Sequence, residues 1–320
     1  MGAGARTAHG VALIVSVVAL LSALELPLTL YRTFVVEARF GFNRMTAKLF
    51  VIDLAKRALI SAVLGIPLLT LVLWLMAKMG GLWWIWVWAA WTAFNLLVLL
   101  LYPSFIAPLF NKFSPLADSA LAERIESLLA RCGFRSSGLY VMDGSKRSSH
   151  GNAYFTGFGA AKRIVFFDTL LSRLAPAEVE AVLAHELGHF KRHHVWKRIT
   201  LLFASSFALL WVLGQLIGRQ WFYAGLNVDL QSTATALLLF VLVTPVFTFF
   251  LQPLTSLLSR RHEFEADSYA AAHADASELV RALVKLYQDN ASTLTPDPLH
   301  SAFYDSHPPA ALRIARLRTA

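Results

Sequence analysis

A single cysteine, Cys132, stands among 320 residues. That excludes an intramolecular disulfide, and the soluble parts need no oxidising compartment. Charge is also scarce: Asp, Glu, Lys and Arg make up 15% of the chain against 57% hydrophobic residues. With a mean hydropathy of +0.55, the composition is far from that of an ordinary soluble domain. The apolar runs are nearly free of acids and histidines, Glu25 being an exception, which weighs against the intramembrane ion path of a metal-ion transporter. Despite a net charge of +9, no basic run is interleaved with aromatics, so no nucleic-acid partner is expected. The first apolar run lacks the small-residue cleavage site of a secretory signal, and no internal repeat is visible.

What is present are five stretches long enough to cross a bilayer, at about 11–30, 59–79, 82–102, 200–218 and 233–257, each near the roughly 20 apolar residues that a span needs. The lipid bilayer is therefore the first expected partner. Threading the spans in order leaves only Arg6, Lys78 and Arg219 of the 29 lysines and arginines on one face. The short loop 31–58, with Arg32, Arg39, Arg44, Lys48, Lys56 and Arg57, marks the other face as cytoplasmic. The tryptophans at 83, 84, 86, 88 and 91 read as an aromatic belt at the headgroups.

Between the third and fourth spans the character turns soluble. "LADSALAERIESLLARCGF" has the apolar spacing of an amphipathic helix. "GLYVMDG", "HGNAYFTGFG" and "AKRIVFFDTLL" predict a small, mainly antiparallel sheet. Pro176, followed by Glu178 and Glu180, marks a helix start, so "PAEVEAVLAHELGHFKRHH" is expected to be one helix. The tail predicts a second long helix, "RRHEFEADSYAAAHADASELVRALVKLYQDN", then a Pro-rich turn and a short final helix. Four regions result: N-terminal transmembrane helices over 1–102, a cytoplasmic-side region with the sheet and the helix begun by Pro176 over 103–199, two transmembrane helices over 200–257, and a C-terminal region over 258–320; the second and fourth carry the chemistry that follows.

The chemistry is concentrated in "AHELGHFKRHH", residues 184–194. His185 and His189 are four apart, share one helical face and can hold one tetrahedral ion. Glu186 beside them is placed to take a proton from a water that the ion activates. This H-E-x-x-H pattern points to a zinc hydrolase holding one Zn2+. A third protein ligand is needed. Position 195, where an extended motif would supply a histidine, is Val195, and His193 and His194 read as solvated or headgroup-facing cations at the helix end. "HEFEAD", residues 262–267, is the better source: Glu263 and Asp267 share a face while Glu265 points elsewhere. One acid can ligate the ion and the other can accept the free N–H of a ligand histidine.

With these motifs in view, the chain resembles the type I CAAX prenyl proteases, membrane zinc metalloendopeptidases of the gluzincin type. The resemblance runs from about residue 10 to the C-terminus. It rests on "LPLTLYRTFVVEARFGFN", "YPSFIAPLFNKFSPL", "GSKRSSHGNAYFTGF", "RIVFFDTLL", "HELGHFKRHH", "SRRHEFEAD" and "SHPPAALRIARL". It implies a mainly α polytopic membrane protein, with transmembrane helices around an intramembrane chamber and a cytoplasmic zinc protease region containing a small sheet. It also implies His185, His189 and Glu263 as zinc ligands, Glu186 as general base and Asp267 as the carboxylate behind a ligand. Asn152 and Ala153 would contact the substrate backbone by strand addition, and His307 and Arg313 would contact the substrate and the developing oxyanion. The implied substrate is a peptide or protein, prenylated at a C-terminal CAAX motif or otherwise membrane-associated. A quality-control protease of misfolded membrane proteins would use the same chemistry, and a zinc-stabilised inactive scaffold would keep the metal without hydrolysis. Members of the family usually carry seven spans, and the match here starts near the second, so a preceding span is expected to be missing from this chain.

Overall fold

A computed structural model describes residues 3–156, 161–291, 293 and 295–319. The tail of "HGNAYFTGFG" beyond Thr156 lies outside the described residues. The chain divides into two compact units, one built from Met1–Val35, Thr46–Ser104 and Arg198–Phe249, the other from Val36–Met45, Phe105–Lys197 and Phe250–Ala320.

In the first unit the long helices include Ala3–Tyr31, Ala47–Lys78, Trp83–Leu101 and Thr233–Thr248. Thr46 caps Ala47–Lys78 by accepting the Leu49 N–H at 3.2 Å, satisfying one of the donors a helix start leaves free. Among the described residues, five helical segments are long and apolar enough to span a membrane: Gly4–Arg39, Ala47–Lys78, Gly80–Phe110, His194–Leu216 and Thr233–His273. Each overlaps one expected stretch: those at 11–30, 82–102 and 233–257 lie inside longer helical segments, whereas Ala47–Lys78 and His194–Leu216 start earlier than expected and stop one and two residues short of 79 and 218. Leu24, Leu28 and Phe247 are exposed, an apolar surface that suits lipid contact. Gly10 shows how closely helices approach within the unit, since an added Cβ would meet the Ala234 Cβ at 2.8 Å.

The tryptophans divide differently from the expected belt. Trp83 is buried and Trp86 exposed. Trp84 and Trp88, one helical turn apart, both pack edge-on against Phe207, at 5.0 and 5.2 Å between ring centroids. The Trp88 indole N–H donates to the Phe203 carbonyl at 2.9 Å. Helical spacing turns these rings inward, where the indole finds a partner.

The second unit contains a four-stranded sheet in the order β1-β2-β4-β3, with β1 Phe113–Pro115, β2 Arg135–Met142, β3 Ala153–Thr156 and β4 Ala161–Phe167. β1–β2 and β3–β4 are antiparallel, and β2–β4 is parallel. Among the described residues β3 pairs with β4 alone, which makes it an edge strand. The amphipathic stretch forms Ser119–Arg131, capped by Asp118 at 3.0 Å from the Leu121 N–H. Its buried Ile125, Leu128 and Leu129 join Ile164 and Phe166 of β4 in one core, with Cys132 among them.

The central element is the helix Pro176–Lys191. Pro176 occupies its first position, and the Glu178 carboxylate accepts the Ala175 N–H at 2.7 Å and the Lys285 ammonium at 2.7 Å. Val179, Leu183 and Leu187 form one stripe, while Ala181, Ala184 and Gly188 fill the rest, so the helix is buried nearly all round. Gly188 sets the distance to the next helix, Gln252–His273: an added Cβ would meet the Ala266 Cα at 3.0 Å and the Tyr269 Cβ at 3.1 Å. Gly188→Ala gains helix propensity of about 1 kcal/mol, but contact with backbone leaves little room to adjust. Gly188→Val should destabilise by about 1–3 kcal/mol and lower bound metal, read by thermal unfolding and metal content of the purified protein.

Two boundaries differ from the expected ones. The helix of the H-E-x-x-H motif stops at Lys191, and His193 takes a left-handed conformation with φ 57°, the geometry that ends helices. A new helix, His194–Leu216, follows. The tail helix is two helices, Gln252–His273 and Ala276–Asp289, because Asp275 accepts the Ser277 N–H at 2.8 Å and starts the second. The Pro-rich turn holds a further short helix, Pro298–Tyr304, capped by Asp297.

Candidate active site

Adjacent buried faces of Pro176–Lys191 and Gln252–His273 bring His185, His189 and Glu263 together, one ligand atom from each lying within 4.8 Å of the others. His185 Nε2 is 3.2 Å from His189 Nε2 and 3.4 Å from Glu263 Oε2, and His189 Nε2 is 3.4 Å from Glu263 Oε1. Glu263 is buried and its Oε2 receives no hydrogen bond. A buried carboxylate oxygen left without a donor is costly. Two imidazole nitrogens, one beside each oxygen of this carboxylate, complete a donor set that suits a divalent metal ion. Glu263→Ala should therefore reduce bound metal to below about a tenth of wild type, as read by elemental analysis.

On the far side of the His185 ring from Glu263, Asp267 Oδ1 lies 2.8 Å from His185 Nδ1. With His185 donating from Nδ1, Nε2 is left with its lone pair toward the site. Asp267 is in turn clamped by Arg313, whose Nε donates to Oδ2 at 2.8 Å and Nη2 to Oδ1 at 2.6 Å. Arg313 Nη1 stands 3.6 Å from Glu263 Oε2, and both Arg313 and Asp267 are buried. Burial opposes a charge on His185, but the carboxylates of Asp267 and Glu263 outweigh it and raise its pKa from 6.5 to about 9. A raised folded-state pKa stabilises the metal-free protein fully below about 6.5 and loses that contribution as pH rises through about 9. A metal ion must displace this proton. Zinc binding near neutral pH should release a proton, and zinc affinity should climb with pH toward about 9, measurable by calorimetry in buffers of different ionisation enthalpy.

A cavity of about 550 Å³ opens beside these groups, lined by Glu186, His185, Glu263, Tyr287, His307 and Arg313 among others. Glu186 is partly exposed there. His307 is exposed, with Nε2 3.6 Å from Glu263 Oε1 and Nδ1 2.9 Å from the Ser306 hydroxyl. Asn152 and Ala153 are not among the lining residues. Ala153 begins β3, paired with Phe166, and the exposed Asn152 accepts the Ala153 N–H on its side chain at 2.8 Å. β3 packs beside the motif helix through Phe155 and Phe190, 5.5 Å between ring centroids.

His194, expected as a solvated cation, is 1% exposed. The left-handed turn at His193 brings its ring beneath His189, with Nδ1 3.0 Å from His189 Nδ1 and Nε2 3.0 Å from Glu265 Oε2. Glu265, expected to point elsewhere, thus reaches the site through His194. The trace of this in the sequence is the placement of two histidines just past a helix end, where a turn can fold the second one back.

The profile of peptidase family M48 matches residues 115–320, and one described as CAAX prenyl protease N-terminal, five membrane helices, matches residues 2–112. Among curated proteins, the chain is 40% identical to CAAX prenyl protease 1 homolog of Arabidopsis thaliana, covering 91% of this chain and 69% of that one. It is 37% identical to CAAX prenyl protease 1 of Saccharomyces cerevisiae (92% and 68%) and 36% identical to the human homolog (92% and 70%). The crystal structure of S. mikatae Ste24p superposes with a TM-score of 0.90 at 35% identity, covering 98% of this chain and 76% of that one. A metallopeptidase profile over the part of the chain that gathers the histidines and acids, and a membrane profile over the apolar N-terminal part, agree with relatives that match about nine tenths of this chain. The chain belongs to peptidase family M48, among the CAAX prenyl protease 1 homologues, which are multi-pass membrane metalloendopeptidases.

Proposed function

We propose that the protein is a zinc-dependent endopeptidase that cleaves near the C-terminus of CAAX-type substrates, prenylated or otherwise membrane-associated, with its site on the cytoplasmic side. The observation that carries this reading is the convergence of His185, His189 and the undonated Glu263 beside a cavity that also holds Glu186. One zinc ion held by these three residues would supply Lewis acidity to a peptide carbonyl and acidity to a water. Glu186 takes a proton from the attacking water and returns it to the leaving amine. Asp267 holds the His185 tautomer, and Arg313 holds Asp267.

Of the two residues assigned to the oxyanion, His307 is the freer donor, because its Nδ1 is taken up by Ser306 and its Nε2 lies toward Glu263. Arg313, committed to Asp267 through two nitrogens, adds positive field and its remaining Nη1. The peptide adds as a strand to the edge of β3 at Asn152 and Ala153. The orientation is supported by the basic loop between the first two spans. A chain that carries both spans and a peptidase site suits a substrate whose own lipid group keeps it at the membrane.

Parallel cleavage assays with a prenylated CAAX peptide, its unprenylated form and an unmodified membrane protein test this reading. Preferred cleavage of the prenylated peptide is expected. Equal turnover of the unmodified membrane protein would favour quality control, and zinc content without hydrolysis would leave a scaffold.

A further inference from the structure

We propose that His194 is a positioning residue for the metal ligand His189, within a relay Glu265–His194–His189 that passes the pull of a carboxylate to the ligand through a second imidazole. The inference rests on the zinc reading of His185, His189 and Glu263 given above. The two ligand histidines face their partners with the same atoms: each turns Nε2 toward Glu263 and Nδ1 away from it. Behind His185 stands Asp267. Behind His189 stands His194, buried, with Glu265 beyond it at 3.0 Å.

One arrangement of protons satisfies every contact. A ligating His189 keeps its lone pair on Nε2 and its proton on Nδ1, so His194 Nδ1 must accept and His194 Nε2–H must donate to Glu265. The reverse arrangement would aim a bare His194 nitrogen at a carboxylate oxygen and put the His189 proton on the atom that faces Glu263. His262 stacks on the His194 ring at 4.0 Å with an interplanar angle of 13°, fixing the plane in which both nitrogens point. Arg261 Nε, 3.3 Å from Glu265 Oε1, orients the far end. The left-handed turn at His193 makes the relay possible, since a helix continued through 194 would carry that ring round to another face.

The full-length protein should be loaded with zinc and titrated with a chromogenic chelator. His194→Phe keeps a ring but has no acceptor, and its zinc affinity should fall by about 10–100-fold. His194→Asn places an amide oxygen where Nδ1 stood and should recover most of that loss. Glu265→Ala should shift affinity in the same direction by less, while His193→Asn, which tolerates the left-handed turn, should match wild type. Unchanged affinity in His194→Phe would overturn the proposal. So would equal losses in the Phe and Asn variants accompanied by equal drops in the unfolding temperature of the zinc-free protein, which would reduce His194 to packing. If His194→Phe does not fold, His194→Asn and Glu265→Ala still decide: a large loss in the former, or none in the latter, overturns the relay. Wild-type protein that binds no zinc would sink the site reading itself, whereas zinc-binding wild type with an equally tight His194→Phe would sink this inference alone.

Discussion

Replacing Glu186 with glutamine should leave zinc content unchanged and lower the cleavage rate of a CAAX peptide by about 10²–10⁴-fold, the range that general acid–base catalysis contributes. Glu186 lies beside His185 in sequence but off the side of the helix that turns His185 and His189 toward Glu263. It lines the cavity, whereas His185, His189 and Glu263 converge on one another. Its removal should therefore not empty the site. Glutamine keeps the size and polarity of the side chain and loses only the ability to take up a proton, so folding and metal affinity act as internal controls. Retained turnover would remove Glu186 from the chemistry, and loss of zinc would make it a ligand or support of one.

The second large effect is expected at Asp267. Asp267→Ala strips the buried Arg313 of two charge-assisted hydrogen bonds and leaves His185 Nδ1 without its carboxylate. Breaking a buried ion pair from one side costs about 3–5 kcal/mol, because the remaining charge is stranded away from water. The nearby Glu263 offsets part of this, its Oε2 lying 3.6 Å from Arg313 Nη1. Thermal unfolding of the metal-free variant should show the loss, and zinc titration should show affinity weakened by about 10–100-fold. The double variant Asp267→Leu, Arg313→Met separates the two roles. Replacing both charges by apolar groups of similar bulk should restore much of the stability while the zinc affinity stays low, since His185 still lacks its acceptor. Recovery of both would reduce Asp267 to an electrostatic partner of Arg313.

These expectations trace back unevenly to the sequence. His185, Glu186 and His189 are legible at once because i, i+4 spacing on a helix is a local rule, and Pro176 with Glu178 fixes where that helix begins. Apolar length revealed the five spans, although most of the helices extend past the apolar runs at one end or both. Glu263 could be singled out from Asp267 only through the resemblance, since spacing alone allowed either acid to face the ion. The short β1 and the parallel pairing of β2 with β4 were not legible, because three residues of strand carry no alternation and parallel pairing is a property of the tertiary fold. The role of His194 was hidden by a backbone event. Reading 184–194 as one helix carried it to solvent, whereas one left-handed residue at His193 returned it to the site. Helix ends of this kind are decided by tertiary packing as much as by local sequence.

The central claim, that one zinc ion held by His185, His189 and Glu263 enables peptide hydrolysis, is tested most directly by following metal content and cleavage of a prenylated CAAX peptide in the same purified sample through chelation and zinc return. Activity should fall in proportion to zinc removed, reach zero in the stripped protein, and recover as zinc returns to one ion per chain. Cleavage that persists in protein shown to be free of metal would contradict it.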